Sequence, residues 1–116
     1  RVETYTERCS EYNFYSLLKE ADVICGGCDN AQAKAMLVNG VMERMPEKYL
    51  VAASGMAGFG SANAIRTRRV TERFYLCGDG VSDVADDIGL ISSRVMLCAA
   101  HEAHVILRIL AGKYEV

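Results

Sequence analysis

The sequence predicts an α/β fold built on a mixed sheet, and three observations predict it. Two short apolar runs, 21–25 and 48–54, flank a segment whose apolar residues recur at helical spacing. Two more strand-like runs, 64–70 and 73–77, lie close enough together to pair as a hairpin. The last long stretch, 90–110, is patterned as a single helix. Strand–helix–strand, then hairpin strands, then one long helix is an α/β order, and its first unit should be parallel and right-handed.

Each element has a local reason. Residues 2–6 form either a short strand or an extended connection. Over 11–20, Tyr12, Tyr15, Leu17 and Leu18 fall at roughly helical spacing, with Ser10 placed to cap the start. The run Ala21-Asp22-Val23-Ile24-Cys25-Gly26-Gly27-Cys28 is brief and β-branched and ends in glycines, which suits a strand buried on both faces. Asp29 or Asn30 caps the next helix, where Ala33, Met36, Leu37, Val41 and Met45 repeat until Pro46 stops it. A second apolar strand covers 48–54 and runs into Gly55-Met56-Ala57-Gly58-Phe59-Gly60, whose small residues permit tight turns. Residues 64–70 are polar and basic around Ile65, as suits a more exposed strand. Residues 73–77 form a third core strand ending at Gly78-Asp79-Gly80, and an acidic loop follows at 81–87. The final helix is apolar on most sides, which predicts burial within the domain or against a partner, and Gly112 closes it.

Composition narrows the function. The chain has 116 residues, 51% of them hydrophobic, enough for one small domain with a core of its own. Its formal net charge is −2, from 13 basic and 15 acidic side chains without a basic block, so a nucleic-acid footprint is not supported. No apolar run approaches the ~18 residues that span a bilayer, and no charged-then-apolar leader is present. The expectation is a soluble, cytoplasmic protein. Five cysteines without a secretion signal read as reduced thiols. The chain starts at Arg1 rather than methionine, which suggests a fragment or a processed chain.

Several segments together resemble one known family. Ala21-Asp22-Val23-Ile24 followed by Cys28-Asp29-Asn30-Ala31-Gln32-Ala33-Lys34 is similar to the strand end and helix start of the ThiF/MoeB/ubiquitin-activating superfamily. Residues 51–58 resemble its next strand and glycine turn. Residues 74–80 and 89–104 resemble its closing strand and helix. The likeness covers roughly residues 5–112 and is nearest a thiamine-biosynthesis subgroup. It implies the C-terminal portion of a Rossmann-like ThiF fold over residues 1–116, lacking the half that grips ATP phosphates.

The resemblance also implies an activity: ATP-dependent adenylation of the C-terminal glycine of a ubiquitin-like sulfur carrier ending in Gly-Gly. By the same resemblance the cofactors are ATP and Mg²⁺, the protein is a homodimer, and this portion alone is inactive. Asp29 matches the family's magnesium-binding aspartate, with the cap of a helix as its structural alternative. Lys34 matches a nearby basic residue that contacts the nucleotide, or it is an exposed helix lysine. A groove for the carrier tail is implied near residues 54–70.

Departures matter too. A glycine turn opening a helix is what places backbone N–H groups on a pyrophosphate, and neither Gly26-Gly27 nor Gly58-Phe59-Gly60 supplies it. Cys25-x-x-Cys28 is a lone pair where tetrahedral zinc needs four ligands, so no zinc is expected. Asp79 reads as a second acidic contact or a turn aspartate. His101 and His104, three apart, read as core or interface histidines in preference to metal ligands, and a redox role for Cys25 and Cys28 is disfavoured. The rival functional reading is non-enzymatic: a dimerising or carrier-docking module whose long apolar helix meets a symmetry mate.

Overall fold

The apolar runs form the strands that the pattern predicts. The computed structural model describes residues 2–27, 31–80 and 91–116. Its elements are α1 (Phe14–Leu18), β1 (Val23–Gly26), α2 (Ala31–Arg44), β2 (Tyr49–Ala53), a 3₁₀ turn (Ala62–Ala64), β3 (Arg66–Arg69), β4 (Phe74–Gly78) and α3 (Ser92–Leu110). The sheet order is β1-β2-β4-β3. β1, β2 and β4 run parallel, and β3 returns antiparallel beside β4. The result is an α/β fold on a mixed four-stranded sheet, with the hairpin where the sequence placed it.

Strand alternation divides the core in two. Ile24, Leu50 and Phe74 stand in one row across β1, β2 and β4 and pack with Phe14, Leu37, Val41 and Met45 of the α1–α2 side. The next row, Val51 and Tyr75, faces the opposite way and joins Ala53, Ile65, Cys77, Cys98, Val105 and Ile109 of the α3 side. β2 is buried on both faces, as a central parallel strand must be, and its apolar sequence follows from that position. β3 sits at the edge with Arg66, Arg68 and Arg69 in solvent; charge on an edge strand discourages pairing with another chain.

Some boundaries move. Residues 2–6 belong to no strand, and the first helix spans Phe14–Leu18 instead of 11–20. Ser10 does not cap it with its side chain. The N-cap is Asn13, whose Oδ1 reaches back to accept the Ser10 N–H at 2.7 Å. This local turn satisfies the polar groups that a longer helix would have used. The strand expected over 64–70 contracts to Arg66–Arg69 because Ser61 caps the 3₁₀ turn before it.

The end of α3 is a Schellman motif: Gly112 has φ +80°, Lys113 N–H donates to Arg108 O at 2.8 Å, and Gly112 N–H donates to Ile109 O at 2.9 Å. α3 is not buried on every side. Met96, Leu107 and Leu110 are 71%, 64% and 65% exposed. Beyond the helix, Tyr114 stacks on Tyr49 with ring centroids 5.3 Å apart, and its carbonyl accepts from the buried Tyr75 hydroxyl at 2.6 Å. No described helix is long and apolar enough to cross a membrane.

Candidate functional site at the carboxyl ends of the parallel strands

Because β1, β2 and β4 are parallel, their carboxyl ends share one edge of the sheet, the edge where open α/β sheets bind ligands. All three end in small residues there: Gly26-Gly27, Ser54-Gly55 and Gly78-Asp79-Gly80. β2 and β4 are then stitched beyond their last ladder pair. Ser54 N–H donates to Cys77 O at 2.8 Å, Asp79 N–H to Gly55 O at 2.8 Å and Gly80 N–H to Ser54 O at 3.1 Å. The approach requires glycine twice. Gly55 has φ +85° and its missing side chain would collide with the Asp79 carboxylate; Gly78 has φ +135° and would strike the Ser54 carbonyl.

Arg94 holds this edge to α3. Its guanidinium donates to the Ala57 carbonyl, to Ser61 O at 3.3 Å and to the Asp79 carboxylate at 3.0 Å. Both side chains of the ion pair are buried, at 6% and 8% exposure. Arg94 Nε is buried without a hydrogen-bond partner among the described residues. The pair therefore fixes the turn 55–61 between β2 and α3. Asp79, by sequence a second acidic contact or a turn residue, turns its carboxylate onto Arg94. The sequence pattern does not single out Arg94. A lone arginine in the first turn of an apolar helix was the available signal, since an isolated buried cation must find an anion.

A second polar cluster lies beneath α3 near the end of β1. Cys25 Sγ donates to Glu102 Oε2 at 3.3 Å, and the Lys34 charge acts on the same carboxylate. Withdrawal from water raises Glu102 above the usual carboxylate range, against the opposing pull of Cys25 and Lys34. Cys25 is exposed as a residue, yet its sulfur rests against the helix, and desolvation and then the Glu102 charge push the thiol up to about 12. Cys98, fully buried, is pushed up to about 11 by the same two causes, and burial likewise raises Cys77. A thiolate nucleophile or redox cysteine needs the opposite shift, so Cys25 is unsuited to that role.

The remaining expectations separate. Cys28, Asp29, Asn30 and the acidic loop 81–87 lie outside the described residues. Lys34 is half-buried on α2, on the Glu102 side. Asn39 is exposed. His101 Nδ1 is bonded to Thr67 Oγ1 at 3.0 Å, while His104 is exposed. Among the described residues no three His, Cys, Asp or Glu side chains are grouped as metal ligands. Clefts among the described residues lie elsewhere. One, of about 220 Å³, opens at the amino ends of β2 and β4 between Pro46, Lys48 and Arg73; the other, of about 310 Å³, lies between Thr67, His101 and Arg108.

No protein-family model, curated protein or solved structure matches this chain.

Proposed function

We infer that the chain is the C-terminal portion of a Rossmann-like enzyme that adenylates the terminal glycine of a ubiquitin-like sulfur carrier. The observation that supports this best is β1. Val-Ile-Cys-Gly is an interior strand by sequence, yet among the described residues it has one neighbour, β2. An apolar strand with an open edge is a site for further strands, and in this reading they carry the phosphate-binding half. The parallel strand ends supply the rest: a glycine-rich edge, fixed by Arg94 and Asp79, along which an extended Gly-Gly tail can lie close to backbone.

In the reaction the carrier's carboxylate attacks the α-phosphate of ATP, forming the acyl-adenylate and releasing pyrophosphate. Asp29, which follows β1 in the sequence, is the proposed Mg²⁺ ligand and Lys34 the proposed phosphate contact. Bound Mg²⁺ supplies charge neutralisation on the phosphates. Asp79 is not offered as a ligand, because Arg94 engages its carboxylate. The proteins' own contribution is positional: the tail is held where its carboxylate reaches the α-phosphate, and such orientation is worth many orders of magnitude.

The test is ATP–pyrophosphate exchange with a Gly-Gly-ended carrier, for this chain and for a version extended upstream by a glycine-rich phosphate loop. Exchange in the extended version alone is expected, and Asp29→Ala should abolish it without unfolding the protein. Undiminished exchange in that variant overturns the role of Asp29; none in either protein overturns the adenylation reading. The uncharged outer face of α3 favours a second reading, association without catalysis.

A further inference from the structure

The lower half of α3 gathers its basic groups on one side. His101, His104, Val105 and Arg108 are spaced i, i+3, i+4 and i+7, so they share a face of the helix. With Thr67 of β3 and Val116 they line the cleft of about 310 Å³. His101 and His104 are the chain's two histidines, and both are here. Among the described residues that line the cleft, no side chain is a carboxylate. Its volume falls at the lower end of small-molecule sites, about 300–1,000 Å³, and Val105 and Val116 set an apolar wall beside the polar groups.

We propose that this cleft binds the phosphomonoester of a small organic molecule, with the phosphate on Arg108, His101 and His104 and the organic body against the two valines. The polar groups are already oriented. His101 Nδ1 is bonded to Thr67 Oγ1 at 3.0 Å, which fixes the ring and leaves Nε2 for the cleft. With the Thr67 hydroxyl donating to Nδ1, the imidazole carries its proton on Nε2, the donor an anion needs. Cys77 supports that direction: burial keeps its thiol protonated, and Sγ lies 3.5 Å from Thr67 Oγ1. Arg108 already holds an anion. Its NH2 donates to the Glu115 carboxylate at 2.8 Å and to the Glu115 carbonyl at 3.0 Å. Glu115 is 76% exposed, and so open an ion pair holds weakly enough for a dianion to displace it.

The donor set favours phosphate over carboxylate. A planar carboxylate is satisfied by one guanidinium fork, whereas phosphate oxygens accept from several donors in different directions. A bare phosphate would leave the valine side of the cleft empty, so the ester's organic part belongs there. The site is separate from the carboxyl edge of the sheet. Arg108 follows Arg94 by 14 positions, about 21 Å along the helix. The inference therefore rests on no part of the adenylation reading.

The two histidines make the test direct, because their ring resonances in proton NMR report the cleft and nothing else. Phenyl phosphate is titrated at fixed pH and ionic strength to about 20 mM, well past the roughly millimolar affinity of a half-open site. Both ring signals should move and saturate, and inorganic phosphate should bind at least about threefold more weakly. Arg108→Gln should weaken binding about tenfold or more. The anions that the chain itself brings to the cleft are Glu115 and the terminal carboxylate of Val116, so Glu115→Gln and a C-terminal amide should each tighten it. A purely structural Arg108–Glu115 pair would instead make Arg108→Gln and Glu115→Gln weaken binding alike, which overturns the proposal. Unmoved histidine signals, or equal movement with neutral benzyl alcohol, overturn it as well. Inorganic phosphate binding as tightly as the ester removes the organic body from it.

Discussion

At the scale of single residues, burial decides what each charged group does. Arg94 and Asp79 are withdrawn from water together, so each is tolerable only with the other. Arg94→Leu should leave the Asp79 carboxylate uncompensated and cost about 3–5 kcal/mol in urea unfolding. A loss below about 1 kcal/mol, the range of exposed pairs, would mean the pair does not hold the glycine turn. Glu102 gives a pH signature. Its carboxyl, raised by desolvation, keeps its proton in the folded chain to higher pH than in the unfolded chain. Between those two values the folded state binds more protons, so stability falls as pH rises from the ordinary glutamate range through the raised one. Glu102→Gln should flatten that fall in the urea midpoint, and an unchanged slope would remove Glu102 as its source. Withdrawal from water, reinforced by the Glu102 charge, silences Cys25. With its thiol at about 12, only about one molecule in 10,000 carries the thiolate at pH 8. Iodoacetamide should label exposed Cys9 well before Cys25, and Glu102→Gln should speed Cys25 labelling.

At the scale of elements, glycine placement outweighs propensity. Gly40 lies inside α2, where alanine would ordinarily stabilise a helix by up to about 1 kcal/mol. A Cβ there would come within 2.6 Å of the Phe14 ring, which seals the α1–α2 contact. Gly40→Ala should therefore destabilise by about 1–3 kcal/mol, measured by thermal melt, with partial rescue by Phe14→Leu. A stabilised variant would show that α1 does not dock on α2. Periodicity located α2 and its buried Leu37, Val41 and Met45 well, since these lie at regular intervals on one face. It could not show why α1 is only Phe14–Leu18. There a short-range bond from Asn13 to Ser10 competes with the helix, and such competition is not written in an apolar repeat.

At the scale of the whole molecule, the sheet separates two cores that share no side chains. Ile24 belongs to the α2 side and Ile109 to the α3 side. Ile24→Val and Ile109→Val should each cost about 0.5–1.5 kcal/mol, and the double variant should equal their sum within about 0.5 kcal/mol. A larger discrepancy in urea unfolding would mean that the two layers are coupled through the sheet.

The sequence by itself determined the order of elements, the central place of 48–54 and 73–77, and the helix end at Gly112. These depend on local chemistry: apolar runs, alternation and a glycine that tolerates positive φ. The tertiary structure alone decided the sheet order β1-β2-β4-β3, because pairing between distant strands leaves little trace in either strand. It alone brought Arg94 to Asp79 and Cys25 to Glu102, pairs 15 and 77 positions apart. It also decided which side of α3 faces water. The pattern showed a helix apolar nearly all round, and only packing against the sheet could reveal that the charged side was the one turned inward.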